Sequence, residues 1–281
     1  MKYSIITINF NNRDGLQKTI DSVVNQTYKD FEYIIIDGGS TDGSVDIIRE
    51  YADRIDYWVS EPDKGIYNAM NKGILKAHGE YINFMNSGDC FNNECVLADA
   101  APIIKADICI GRYHEGDCKN EWYYPYKEVT LFHLHRGALC HQASFFKKHL
   151  FDKDAYRENL RIVSDWEFYI RKLIIEGCSF QSLNICIAID EPNGISNTQQ
   201  ELNIDERKII LKEKIPQRIL LDYNRLLNIG YELWDVLPSI PIGYRYQHLL
   251  CKVIIRSIKV LNVIDKFIPL KNKFNWQCEN H

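Results

Sequence analysis

Two carboxylates in this chain stand where an apolar run ends and a Gly/Ser turn begins. Asp37 closes Ile34-Ile35-Ile36 and opens Gly38-Gly39-Ser40-Thr41-Asp42-Gly43-Ser44. Asp89 follows Tyr81-Ile82-Asn83-Phe84-Met85 through the turn Asn86-Ser87-Gly88. An apolar run that halts at a carboxylate reads as a central parallel strand delivering its end to a ligand crevice. Two such strands, roughly 50 residues apart, put both carboxylates on one edge of one sheet. A carboxylate in that place suits a sugar hydroxyl, a base N–H, or a hard divalent cation holding a diphosphate. Farther on, His141-Gln142 and Ser164-Asp165-Trp166-Glu167 add an imidazole and two more acids.

The elements that must position these groups follow from pattern. Ser4 to Asn9 is a β-branched run and the expected first strand, and Asn11 or Asn12 can cap a helix carrying Leu16, Ile20, Val23 and Val24. Strands are expected over 31–36, 57–60 and 81–85. Helices are expected after Ser40–Asp42 and over 65–77. Strands alternating with helices imply a parallel sheet with right-handed crossovers. Past Asp89 the pattern loosens. A strand is expected within 103–110, an aromatic strand or loop over 121–126, and an irregular His-rich stretch over 131–146 in which His133 and His135 alternate on extended chain. A helix is expected over 164–176, a late strand over 180–189 and a turn at Pro192-Asn193-Gly194. From about Gln199 only helical patterns remain, so a boundary is placed near residue 200.

With 281 residues the chain suits one large α/β domain plus an appendage. A net charge of −4 argues against a general nucleic-acid binder. Nine cysteines without a single C-x-x-C fit reduced thiols better than a zinc site or a disulfide framework. The N-terminal apolar run, broken by Asn9, Asn11 and Asn12, reads as a strand and not a signal peptide. No run approaches the ~18 apolar residues that a spanning helix needs.

In order and spacing, Thr7, Asn9 and Asn11 on the first strand, Asp37-Gly-Gly-Ser-Thr-Asp42, Ser60-Glu-Pro-Asp63-Lys64-Gly65, Asn86-Ser87-Gly88-Asp89, His141-Gln142, and Ser164-Asp165-Trp166-Glu167 leading to Arg171 resemble glycosyltransferase family 2 over residues 1–197. The resemblance implies the GT-A fold: an α/β domain over 1–200 with a mostly parallel central sheet and helices on both faces. The nucleotide half would lie within about 1–90 and the acceptor half within about 91–200. A helical extension follows over 201–281.

It further implies an inverting transfer from a nucleotide sugar, expected to be UDP-linked, of a hexose or N-acetylhexosamine. The receiving group is a hydroxyl on a glycan or a polyprenyl-diphosphate-linked acceptor in bacterial surface polysaccharide synthesis. Thr7, Asn9, Asn11, Asp37, Asp63, Lys64, Asn86 and Ser87 are the implied donor contacts. Asp89 is the implied ligand of Mg²⁺ or Mn²⁺, weakened because Asn86, Ser87 and Gly88 add no charge. Asp165 is the implied general base, with a pKa raised beside Trp166. His141, Gln142, Trp166 and Glu167 fall on the acceptor or diphosphate side, Glu167 being the alternative base. Where many members carry Asp-Asp, this chain has Asp37-Gly38, which leaves one carboxylate. Asp42 reads as a helix N-terminal residue, and Asn68 or Asn71 as facing the donor crevice.

Residues 242–275 carry seven Lys and Arg against the single acid Asp265, beside a broad apolar face. That pairing suits an interfacial helix on anionic lipid at the inner face of the cytoplasmic membrane, making the protein cytoplasmic and peripheral. Packing on the catalytic domain or on a second copy in a homodimer is the alternative. Competing readings of the whole chain are a non-catalytic nucleotide-sugar or glycan binder and a polyprenyl-phosphate sugar synthase. A sugar-nucleotide pyrophosphorylase would need a Gly-rich, Arg-containing N-terminal loop. A dinucleotide oxidoreductase would need G-x-G-x-x-G after the first strand, where this chain has Asn9-Phe10-Asn11-Asn12.

Overall fold

The computed structural model describes residues 1–116, 127–191 and 199–227. The N-terminal part of the sheet is a run of parallel strands with helical crossovers. Strand β1 (Tyr3–Asn9) leads to helix α1 (Arg13–Val24), then β2 (Phe31–Asp37), α2 (Ser44–Glu50), β3 (Tyr57–Ser60), α3 (Ile66–Lys76) and β4 (Tyr81–Phe84). Strand β1 sits between β2 and β4, parallel to both, because its β-branched run is buried along its whole length. Side chains alternate across the sheet. Ile5 and Ile35 join Leu16, Ile20 and Ile47 in one core cluster. On the opposite face Ile6 meets α3 so closely that a Cβ on Gly73 would lie 2.5 Å from its Cγ2.

The second half departs from a purely parallel plan. After β5 (Cys90–Phe91), α4 (Val96–Ala100) and β6 (Ile108–Glu115) come a short helix α5 (Leu131–Arg136) and β7 (Ser144–Lys147). Helix α6 (Ser164–Tyr169), continued as a π-helix over Ile170–Ile175, and β8 (Phe180–Asp190) complete the sheet, in the order β3-β2-β1-β4-β7-β6-β8-β5. Strand β7 is antiparallel to both β4 and β6, so its first residues lie at the edge where β4 ends. The expectation of an irregular 131–146 is thereby corrected. His133 and His135 lie on α5, where the His133 ring closes a capping box with Thr130. The 121–126 and 192–194 expectations lie outside the described residues.

Contacts divide the chain into Met1–Lys214 and Ile215–His281. Helix α7 (Gln200–Lys214) therefore belongs to the first unit, and the composition shift near residue 200 marks the start of this helix, not the edge of the unit. Of the second unit, helix α8 (Gln217–Leu227) is described. Among the described residues no helix is long and apolar enough to cross a membrane, and the basic segment 242–275 lies outside them.

Glycines mark where backbones touch. A Cβ on Gly79 would lie 2.5 Å from Ser4 N and Tyr3 C, main-chain atoms that cannot yield, whereas one on Gly137 would meet nothing within 4 Å. Gly79→Ala should therefore cost about 1–3 kcal/mol through overpacking, and Gly137→Ala should leave stability within about 0.5 kcal/mol. Thermal and urea melts of the two variants check the contrast.

Candidate active site

The site grows from strand ends. Register pairs Asn9 with Asp37 and Asp37 with Ser60, so β1, β2 and β3 deliver three polar side chains to one point. Asp37 is fully buried there. Its carboxylate accepts from Asn9 Nδ2 (2.8 Å), Ser40 Oγ (2.5 Å), Ser60 Oγ (2.6 Å), Gly39 N (3.1 Å) and Ser40 N (2.9 Å). Burial pushes its pKa up, but the bonds from Ser40, Ser60 and Asn9 outweigh burial and hold it below the usual carboxylate range. Asp37 thus braces the turn that shapes the crevice. Gly38 leaves room for a neighbour, since a Cβ there would come within 2.6 Å of Asp63 Oδ2. The carboxylate of Asp63 occupies the space that a second acid after Asp37 would need. Its other oxygen accepts from Gly65 N at 2.8 Å.

Around this point the expected donor contacts sort into three kinds. Thr7 is a core residue. Its hydroxyl donates to Met85 O (2.7 Å) and shares a bond with Tyr33 OH (2.9 Å), so it does not face the crevice. Asn11, at φ 49, folds the loop through Ser40 Oγ and Thr41 N. Asn9 and Asn86 each retain a buried, unpartnered Oδ1, the kind of orphan acceptor that a ligand N–H or O–H satisfies. Ser87 is tied to Asn12, which also caps α1. Lys64 is exposed, its amide N donating to Asn68 Oδ1. Asp42 accepts from Ser44 N, at the first residue of α2, and from Arg13 N, while the N-cap position itself is Gly43. Asn68 and Asn71 both donate to Glu158, and Asn71 also donates to Tyr156 O. A cavity of about 200 Å³ is lined by Lys64, Tyr67, Asn68, Glu158 and Arg161 among others.

The second acidic turn meets the other half of the sheet. Cys90 pairs with Ile189 across β5 and β8, which brings Asp89 beside Asp190. Gln142 Nε2 donates to both, at 2.8 Å to Asp89 Oδ2 and 3.0 Å to Asp190 Oδ1, and Glu191 N donates to Asp89 Oδ1 at 2.8 Å. Burial raises the Asp89 pKa against the lowering effect of these bonds. Asp190 escaped the sequence reading because only the β5–β8 register sets it against Asp89. Among the described residues no group of three His, Cys, Asp or Glu is arranged around a metal. Two adjacent carboxylates suit a hard cation when a diphosphate supplies the remaining oxygens.

Asp165, in the first turn of α6, is the third acid. Its Oδ1 accepts from Tyr67 OH at 2.8 Å, and its Oδ2 faces His141 Nδ1 at 3.3 Å. The other ring nitrogen, His141 Nε2, lies 2.9 Å from Asn86 Nδ2. The expectation of a raised Asp165 pKa is corrected. Burial does push it up, but the hydrogen bond and charge of His141, with the bond from Tyr67, bring it below the ordinary value. Burial lowers the His141 pKa, yet the contact with Asp165 and the charges of Asp89 and Asp190 leave it raised. The adjacent residues His141 and Gln142, just ahead of β7, therefore reach Asp165 and Asp89 respectively.

Glu167 and Trp166 take structural places. Glu167 is fully buried and paired with Arg171 and Lys214, so it is a brace and not an accessible base. Trp166, 1% exposed, donates Nε1 to Leu134 O at 2.6 Å and lies under the Arg207 guanidinium at 4.7 Å, so its ring is no open stacking platform. Glu206 and Arg207, on α7, were missed because a polar helix after a composition shift carries no signal of docking.

A family model described as Glycosyl transferase family 2 matches residues 4–175. The uncharacterized glycosyltransferase MT1564 of Mycobacterium tuberculosis is 34% identical over 188 residues, which cover 61% of this chain and 69% of that protein. A PGL/p-HBAD biosynthesis glycosyltransferase of Mycobacterium bovis is 30% identical over 205 residues, covering 70% and 79%. Among solved structures, S. aureus TarS 1–349 in complex with UDP-GlcNAc superposes with a TM-score of 0.59 at 19% identity, covering 71% of this chain and 61% of TarS. The chain thus spans less than two thirds of that structure's length, and at this identity the likeness is one of fold.

The pairing of Asp165 with His141 has a measurable sign. Replacing His141 by Leu removes the bond and charge that lower the Asp165 pKa and leaves burial in place, so its titration midpoint should move up. Carboxyl-carbon NMR of side-chain-labelled protein checks this, with Asp165→Asn to identify the resonance. A downward move would contradict the pairing.

Proposed function

The chain belongs to glycosyl transferase family 2 and has its GT-A fold, and from that premise we propose that it transfers a hexose or N-acetylhexosamine from a UDP-sugar to an acceptor hydroxyl with inversion. The observation that carries this reading is the His141-Gln142 bridge, which ties an acid suited to the diphosphate, Asp89, to an acid suited to the acceptor, Asp165. TarS, solved with UDP-GlcNAc, supports UDP as the nucleotide. A non-catalytic binder would have no need for one buried and one largely buried acid, each costly to desolvate, linked in this way.

In the proposed reaction the acceptor hydroxyl loses its proton to Asp165 as its oxygen bonds to the anomeric carbon. The bond from that carbon to the donor phosphate breaks on the opposite face, and UDP departs. His141 beside Asp165 stabilises the carboxylate and keeps it ionised, while Tyr67 fixes its orientation. Asn9 Oδ1 and Asn86 Oδ1 offer acceptors to the nucleoside. Asp89 and Asp190 would hold Mg²⁺ or Mn²⁺, which neutralises charge on the leaving diphosphate when bound. We take the acceptor to be a glycan or a polyprenyl-diphosphate-linked sugar in bacterial surface polysaccharide synthesis. The basic, apolar segment 242–275 supports docking at the inner membrane face.

Release of UDP from a panel of UDP-, GDP- and dTDP-sugars, with and without membrane extract, tests the reading. Asp165→Asn should lower turnover by about 10²–10⁴-fold while UDP binding persists. Unchanged turnover would remove Asp165 from the chemistry. Asp89→Asn should weaken UDP binding measured with Mn²⁺ yet leave the value in EDTA unaltered. A variant that binds UDP in Mn²⁺ as tightly as the unaltered protein does would mean that Asp89 holds no metal.

A further inference from the structure

Helix α7 is built into the acceptor side by its polar residues. Glu206, 7% exposed, accepts from Arg161 N (2.7 Å), Ile162 N (3.0 Å) and Val163 N (3.3 Å), the backbone that leads into Asp165. Arg157 pairs with Glu213, and Lys214 with Glu167. Ile210 is fully buried. The next residue after the Glu206 clamp is Arg207, whose position is consequently set.

Arg207 lies over the Trp166 ring, with its guanidinium carbon 4.7 Å from the centroid. Trp166 is itself pinned through Leu134 O. The guanidinium is mostly buried, its charge acts on both Asp165 and His135, and its Nε is buried without a hydrogen-bond partner. Nearby carboxylates are engaged elsewhere: Asp165 by Tyr67 and His141, Glu167 by Arg171 and Lys214, Glu206 by three amides. A guanidinium offers five N–H donors in a rigid fork. A buried Nε–H without a partner is costly, and an oxyanion seated in the fork offsets that cost.

We propose that Arg207, presented by Trp166 beside Asp165, is an acceptor-side oxyanion site that takes a phosphate or carboxylate group of the acceptor. The inference rests on the reading of Asp165 as the acceptor-side base. It adds a requirement that this reading does not contain: the acceptor carries a negative charge within reach of the attacked hydroxyl. Phosphate and carboxylate share the recognition chemistry, and probes separate them.

The test uses the full chain, saturated with UDP and Mg²⁺ so that the donor site is filled. The indole ¹⁵N–H resonance of Trp166, identified through Trp166→Phe, is followed during titration with methyl phosphate, sodium acetate and, for ionic strength, sodium chloride. A saturable shift with methyl phosphate or acetate, absent with chloride, is expected, and the tighter of the two names the group. Arg207→Gln should weaken that midpoint about tenfold or more, and Arg207→Lys should restore part of it. No saturable shift, the same shift with chloride, or an unchanged midpoint in Arg207→Gln would overturn the proposal. Melting temperature and UDP affinity of each variant guard against misfolding. Failure of UDP to bind the unaltered protein would instead strike at the donor reading, so the two failures are distinguishable.

Discussion

Partial burial of the Asp165 carboxylate, whose side chain is 16% exposed, is the constraint around which its surroundings are arranged. A buried carboxylate without partners would take up a proton instead of staying charged. Here the partners arrive from distant parts of the chain: Tyr67 from α3, His141 from the lead-in to β7, and, one layer out, Glu206 from α7 holding the backbone just before Asp165. Each requires its element to be docked in register. The antiparallel β7 is what allows His141 to reach this point, because a parallel strand beside β4 would begin at the opposite edge of the sheet. Asn83 Nδ2, bonded to Gln142 O and Ser144 O, locks that lead-in to β4.

The same logic reassigns the donor side. Asp37 looks like a ligand when only its own strand is considered, and in the folded chain it is the fastener that holds the ends of β1, β2 and β3 together. Five donors to one carboxylate keep it charged and fixed. Rigidity at those strand ends is what leaves Asn9 Oδ1 an orphan, and it lets Asp63 lie against Gly38. A crevice built in this way is preorganised: the polar groups that remain open are few and held by groups that are already satisfied.

Local pattern made the nucleotide half legible. Each of β1, β2 and β4 is an apolar run longer than any competing signal, Asn12 caps α1, and Asp42 accepts from the first residue of α2. What pattern could not reveal depends on pairing across long separations. The Asp89–Asp190 neighbourhood exists only through the β5–β8 register. The direction of the Asp165 pKa depends on His141 and Tyr67, which nothing local to Asp165 predicts. Trp166 beside that acid suggested a raised value, because burial is the only influence visible from the neighbouring sequence. His133 and His135 alternate as a strand would, yet a capping box at Thr130 turns that stretch into helix.

Helix α7 shows why polarity alone is a poor guide to where a catalytic unit ends. Its buried residues are Glu206 and Ile210, so an apolar-stripe criterion places it outside the core. It is attached instead by charge-assisted bonds to backbone amides and by ion pairs. Glu206 satisfies three N–H groups at the entry to α6, donors that would otherwise be left orphaned. An attachment of this kind fixes direction as well as position, since a carboxylate accepting three convergent amides tolerates little rotation. Direction matters for the following residue. An arginine on a helix held only by an apolar stripe would sweep a wide arc on its flexible stem. Arg207, following such a clamp and lying on a pinned indole, presents its charge to one place beside Asp165. The polar character that hides α7 from a hydrophobic reading is therefore what gives it a defined place beside the backbone that carries Asp165.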